Sequence, residues 1–171
     1  MTRSRFHSLF AVAASCALSI GCTMPATGGK SDGGCQAGAA LAQSPAGLEQ
    51  VTLCITSGGK TRSFNTEIAK TSAEQAKGMM FRTAMADNEA MLFPFNEPRV
   101  ASFWMRNTVI PLDIIFVRAN GTIESIAENT IPYSTDPVEA GEPVSAVLEI
   151  RGGLSAELGI VAGDQIIWQA K

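Results

Sequence analysis

The chain has 171 residues, 46% hydrophobic and 17% charged, which suits one globular domain with added segments rather than a disordered or fibrous protein. The formal charge is −3, and setting aside Arg3 and Arg5 in a leader-like stretch leaves 11 basic residues against 16 acidic, with no Lys/Arg cluster to suit a nucleic-acid surface. The one histidine, His7, lies in the same stretch, so a processed chain has no Ser-His-Asp or Cys-His catalysis and no His-based zinc site.

Residues 1–21 read as a signal peptide. Arg3 and Arg5 precede an apolar stretch, Leu9 to Ile20, that is short for a bilayer span. Leu18-Ser-Ile-Gly-Cys22 resembles a bacterial lipobox, with Ser19 where an aliphatic residue is usual. Diacylation of Cys22 is therefore expected, since two acyl chains suffice for stable anchoring. The expected location is extracytoplasmic, on the periplasmic face of a bacterial membrane. Plain secretion and an uncleaved anchor are the alternatives.

Residues 22–47 are rich in Gly, Ser, Ala and Thr and read as a flexible tether that contains Cys35. A strand follows at Val51 to Thr56. Alternation sets Val51, Leu53 and Ile55 on its core face and turns Cys54 the other way, within reach of the tether. Outside the cytoplasm, Cys35 and Cys54 suggest a disulfide that adds about 3 kcal/mol by closing a loop. Two free thiols are the alternative.

From residue 48 to 171 the pattern is that of a folded domain. Gly58-Gly59 marks a hairpin into a second extended stretch, Thr61 to Ala69. A short helix begins at Thr71 or Ser72, where Thr71 with Glu74, or Ser72 with Gln75, has capping-box spacing, and Gly78 interrupts it. A loop through Asp87 to Glu89 leads into the apolar run Met91 to Phe95. Residues 101 to 117 hold two more apolar runs, read as buried strands, around a polar corner. Asn120-Gly121 is a strong hairpin signal that returns the chain along Thr122 to Ala127. Residues 129 to 143 carry three prolines and form a long loop, after which Val144 to Ile150 alternates as a strand. A brief helix at 152–159 and a last strand from Gln165 to Gln169 complete the domain. The expected fold is mainly β, a compact antiparallel barrel or sandwich with one or two short helices.

The corner holds the candidate ligand-binding residues: Trp104, Arg106, Asn107, Thr108 and Asp113, with Arg82 from the segment after the first helix. A buried Asp113 needs partners, for which Arg106 or Arg82 is the natural choice. Trp104 is either a stacking platform or core. The polar group reads as a pocket for an anionic or sugar-like ligand, or as a structural ion pair. The remaining alternative is an acid/base hydrolase of the cell envelope that uses Asp113 with a second carboxylate such as Glu128, at a separation the sequence cannot supply. Met79, Met80, Met85, Met91 and Met105 are soft donors that would suit copper(I), but they sit in apolar runs without Met-x-x-Met spacing and read as core. No metal or cofactor is expected.

Several segments together resemble the DUF192 (UPF0127) family of bacteria and archaea. They are Gly78-Met-Met-Phe-Arg82, Ala90-Met-Leu-Phe-Pro-Phe95, Ser102-Phe-Trp-Met-Arg-Asn-Thr108 and Pro111-Leu-Asp-Ile-Ile-Phe116. Ile126 to Asn129, Val147 to Glu149, Leu158 to Ile160 and Gly163-Asp164 continue the match, which spans about residues 50 to 169. Ala90 stands where the family commonly has Gly, and Arg106 where it commonly has Lys. The resemblance implies a small, β-rich, often exported domain and no particular reaction. The expectation is thus a membrane-tethered module whose partners are the membrane, through the N-terminal lipid, and a small ligand or envelope component. The pattern carries no information on oligomeric state.

Overall fold

The computed structural model describes residues 34–169; the expected signal peptide and Cys22 lie outside them. Strand β1 (Gln50–Ser57) turns through Gly58 and Gly59, at φ 54° and 75°, into β2 (Lys60–Ile68). Two consecutive left-handed residues are what a tight hairpin needs, and glycine adopts that conformation without steric cost. Helix α1 (Ser72–Lys77) starts with the expected capping box: Thr71 accepts from the Glu74 amide, and Glu74 reaches back to the Thr71 amide. It ends at Gly78, at φ 44°.

Strand β3 (Glu89–Arg99) then runs parallel to β2, with Glu67 opposite Met91 and Ile68 opposite Leu92. This departs from the antiparallel expectation, because the crossover through α1 is long enough to bring the chain back to the same end of the sheet. The two-residue strand β4 (Ser102–Phe103) precedes β5 (Leu112–Val117), which forms a hairpin with β6 (Ile123–Ala127). Within the long loop, β7 (Val138–Glu139) pairs with β4. Strand β8 (Val144–Arg151) lies between β3 and β5, and helix α2 (Leu154–Leu158) leads to β9 (Gln165–Ile167).

The main sheet has seven strands in the order β6-β5-β8-β3-β2-β1-β9, and it curls until its edges meet. Ile123 donates to the Asp164 carbonyl, Gly163 to that of Ile123, and Ile166 to that of Gly121. A β-carbon on Gly121, at φ +82°, would stand 2.6 Å from the Ile166 carbonyl oxygen, so this seam needs glycine for space as well as conformation.

Every strand of this sheet contributes to the core inside the curl, including Leu53, Phe64, Leu92, Ile115, Ile123, Leu148 and Ile166. The other face of the middle strands is covered as well. Met91, Phe93, Ile114, Phe116 and Val147 pack there against Met79, Ala101, Met105 and Ala140 from the connections. All six residues of β5 are consequently buried, which explains why it is apolar on both faces apart from Asp113. Met79, Met91 and Met105 are core, as expected.

Cys35 and Cys54 form the expected disulfide. The chain beside it is strapped onto β1: Gly38 donates to the Thr52 carbonyl, Thr52 to Ala39, and Leu41 to Gln50. The last part of the expected tether is therefore built into the domain, and its flexible reading does not extend to residues 38–41. Among the described residues no helix is long and apolar enough to cross a membrane.

Candidate functional site

Strand register places Glu67, Met91, Glu149 and Ile114 side by side across the outer face of the sheet, beneath the second apolar layer. Both carboxylates are buried, each 5% exposed. They are treated differently. Glu67 forms an ion pair with Arg82 at 2.6 Å. Glu149 leaves Oε2 buried with no hydrogen-bond partner among the described residues. Burial in the apolar layer pushes the Glu149 carboxyl up to about 8, against the opposing pull of the Arg82 guanidinium. At neutral pH it is a neutral carboxylic acid, able both to donate and to accept a hydrogen bond.

Glu149 lines a cavity of about 230 Å³. Met79, Phe93 and Phe103 supply apolar wall, and Gln75 and Thr108 supply polar groups. Lys77, Arg99 and Arg106 make the rest of the lining basic. A second cavity of about 360 Å³ holds Glu67 and Arg82, and Met79 lines both.

Trp104 is half exposed and lines the Glu149 cavity, with the Arg106 guanidinium 5.5 Å from its ring centre. It also lines a cleft of about 270 Å³ together with Thr135 and Pro137. At this exposure it is not core, the second of its two sequence readings. The corner behind it is held by backbone bonds. Thr108 donates to the Met105 carbonyl, Met105 to Ser134, Tyr133 to Thr108, and Phe81 to Asn107. Thr108 is buried, and the Asn107 amide approaches the Met80 sulfur at 3.7 Å.

The predicted site residues thus divide. Trp104, Arg106 and Thr108 gather on the Glu149 cavity, with Asn107 beside them; Arg82 lies in the neighbouring one. Asp113 belongs elsewhere. Its Oδ1 accepts from the amides of Asn129 and Gly153, and its Oδ2 from the amide and hydroxyl of Ser155. The expected Arg106 or Arg82 partner is not used, because four donors from the loop and the start of α2 already satisfy the charge. With both oxygens engaged, and no contribution to the Glu149 cavity, Asp113 is poorly placed for acid/base work. Sequence reasoning missed Glu67 and Glu149. Alternation along β8 placed Glu149 opposite the core-facing residues, but alternation alone does not say that the opposite face is covered too.

The family model for DUF192, described as an "Uncharacterized ACR", matches residues 53–168. Among curated proteins, none matches the chain. A crystal structure of a protein of unknown function from Novosphingobium aromaticivorans DSM 12444 is 50% identical, over 78% of this chain and 95% of that one, with a TM-score of 0.74. Another, titled a "putative transcription regulator", from Sinorhizobium meliloti 1021, is 36% identical, over 70% of this chain and 93% of that one, with a TM-score of 0.68. The Gly78–Arg82, Ser102–Thr108 and Pro111–Phe116 segments that carry the resemblance all fall within the matched residues, and the chain belongs to the DUF192 family.

Proposed function

We propose that this chain is a membrane-tethered, extracytoplasmic module that binds a small anionic or sugar-like ligand in the Glu149 cavity. One observation carries the reading: Glu149, whose buried Oε2 has no hydrogen-bond partner among the described residues, lines a cavity that is otherwise basic and partly apolar. Buried polar atoms in folded proteins are nearly always hydrogen-bonded, so an unpartnered carboxyl beside a cavity suits a ligand group. The neutral acid would meet a hydroxyl or carboxyl of the ligand, and Arg106, Arg99 and Lys77 would meet its charge. The disulfide is compatible with an oxidising compartment.

Titration calorimetry with a panel of small sugar acids and hydroxy acids tests the site. Arg106→Ala and Glu149→Gln should each weaken binding about tenfold or more. Equal affinity in both variants would count against it. Tethering is a separate question: Cys22→Ala should move the protein from the membrane fraction to the soluble one, and unchanged fractionation would refute an anchor at that cysteine.

A further inference from the structure

The described residues include four non-glycine residues at positive φ, and three of them meet at one place. Phe81 (φ 65°), Asn107 (φ 57°) and Tyr133 (φ 63°) all lie at the 105–108 corner, where Phe81 donates to the Asn107 carbonyl and Tyr133 to that of Thr108. Left-handed backbone is unfavourable for Phe and Tyr, whose bulky side chains gain nothing locally from it. Here it accompanies outward-facing rings: Phe81 is 69% exposed, Tyr133 61% and Trp104 50%. Backbone strain of this kind collects at functional sites, and exposed aromatic rings cost solvation that burial elsewhere would avoid.

We propose that the Phe81–Trp104–Tyr133 face is a stacking surface for the sugar rings of an anionic oligosaccharide whose end enters the Glu149 cavity. The proposal deepens the cavity reading and rests on it. A pyranose ring presents a face of C–H groups to the negative face of an aromatic ring and keeps its hydroxyls at the edge. Those hydroxyls suit Gln75, Thr108 and the carboxyl of Glu149 in the cavity. The charge is complementary, since Lys77, Arg99 and Arg106 line the cavity and its one acid is buried. The shape favours a chain over a flat surface. Trp104 lines two hollows, one shared with Glu149 and the other with Thr135 and Pro137. A bilayer would engage protruding rings but has no use for the concave space beside Trp104.

The test measures binding of the intact protein to galacturonate and to its linear oligomers up to the hexamer. Affinity should rise about tenfold or more with length, as successive rings engage successive platforms. Phe81→Asn and Tyr133→Asn remove a ring while keeping a residue that tolerates left-handed backbone. Each should abolish the gain with length and leave binding of the single sugar unchanged, whereas Glu149→Gln should weaken both. Binding of the single sugar without any gain on lengthening would overturn the proposal and leave the cavity reading standing. Equal affinity for neutral maltohexaose would overturn the anionic class. Failure of every oligomer to bind would overturn the proposal, and binding to phosphatidylglycerol vesicles in their place, lost in the same variants, would assign the face to a membrane surface.

Discussion

Phe81 donates its backbone N–H to the carbonyl of Asn107 at 2.9 Å, and both residues sit in the left-handed region. The bond joins the segment after α1 to the corner before β5, so each strained residue holds the other in place. Asn tolerates this backbone through its short polar side chain; Phe has no such compensation. Replacing Phe81 by Gly or Asn should therefore stabilise the protein by about 1 kcal/mol. Denaturant titration checks this. A loss of stability would mean that the ring, exposed as it is, packs as scaffold.

Asp113 makes the opposite case, a buried charge that structure requires. Asp113→Ala should cost about 3 kcal/mol or more, because it leaves two backbone amides of the α2 turn and one from the loop without their acceptor. Ser155→Ala removes one of the four bonds and should cost about 1 kcal/mol. Arg106→Ala, which removes none of these bonds, should stay within about 0.5 kcal/mol of wild type. Urea unfolding of the three variants gives the ranking. A severe loss in Arg106→Ala would restore the ion-pair reading.

The protonated Glu149 makes stability depend on pH. In the unfolded chain its carboxyl ionises near the ordinary 4.5, and in the folded protein it is pushed up to about 8. Between those values the folded state holds a proton that the unfolded state has released, so stability falls as pH rises and levels off above the upper value. The full decline is on the order of 5 kcal/mol. Glu149→Gln should remove this decline. Unfolding midpoints of both proteins measured from about pH 5 to about pH 9 test it. Parallel profiles would show that Glu149 ionises normally.

Reduction of Cys35–Cys54 should cost about 3 kcal/mol, with a fall in melting temperature of several degrees. Cys54→Ser should match the reduced protein. Because residues 38–41 are also held by backbone bonds to β1, protection of the Thr52 amide from hydrogen exchange should fall with the disulfide. Unchanged exchange there would mean that the strap holds without its covalent end.

Local features were legible in the sequence because few atoms decide them. Gly58-Gly59 and Asn120-Gly121 mark their turns through backbone conformation alone, and Thr71 with Glu74 marks the start of α1 through two hydrogen bonds. The parallel pairing of β2 with β3 was not legible, since it depends on where a crossover returns the chain. Asp113 was recognised as buried, but charge was matched with charge when backbone amides met the need. At the site, Trp104, Arg106 and Thr108 came from an unusual segment, whereas Glu149 looked like any polar residue on the far face of a strand. Only the assembled second layer turns it into a buried acid.

Strand β1 pairs with β9, so Cys54 lies opposite Ile167 across most of the domain's length. A ribosome delivers the chain from the N-terminus, and the seam has no second side until residues 165–167 have emerged. Until then β1 carries an open edge and the curl cannot close. Contacts between such distant residues also make folding slow. The same order of events makes truncation at the C-terminal strand damaging despite the few residues lost, since it reopens β1 and β6 together.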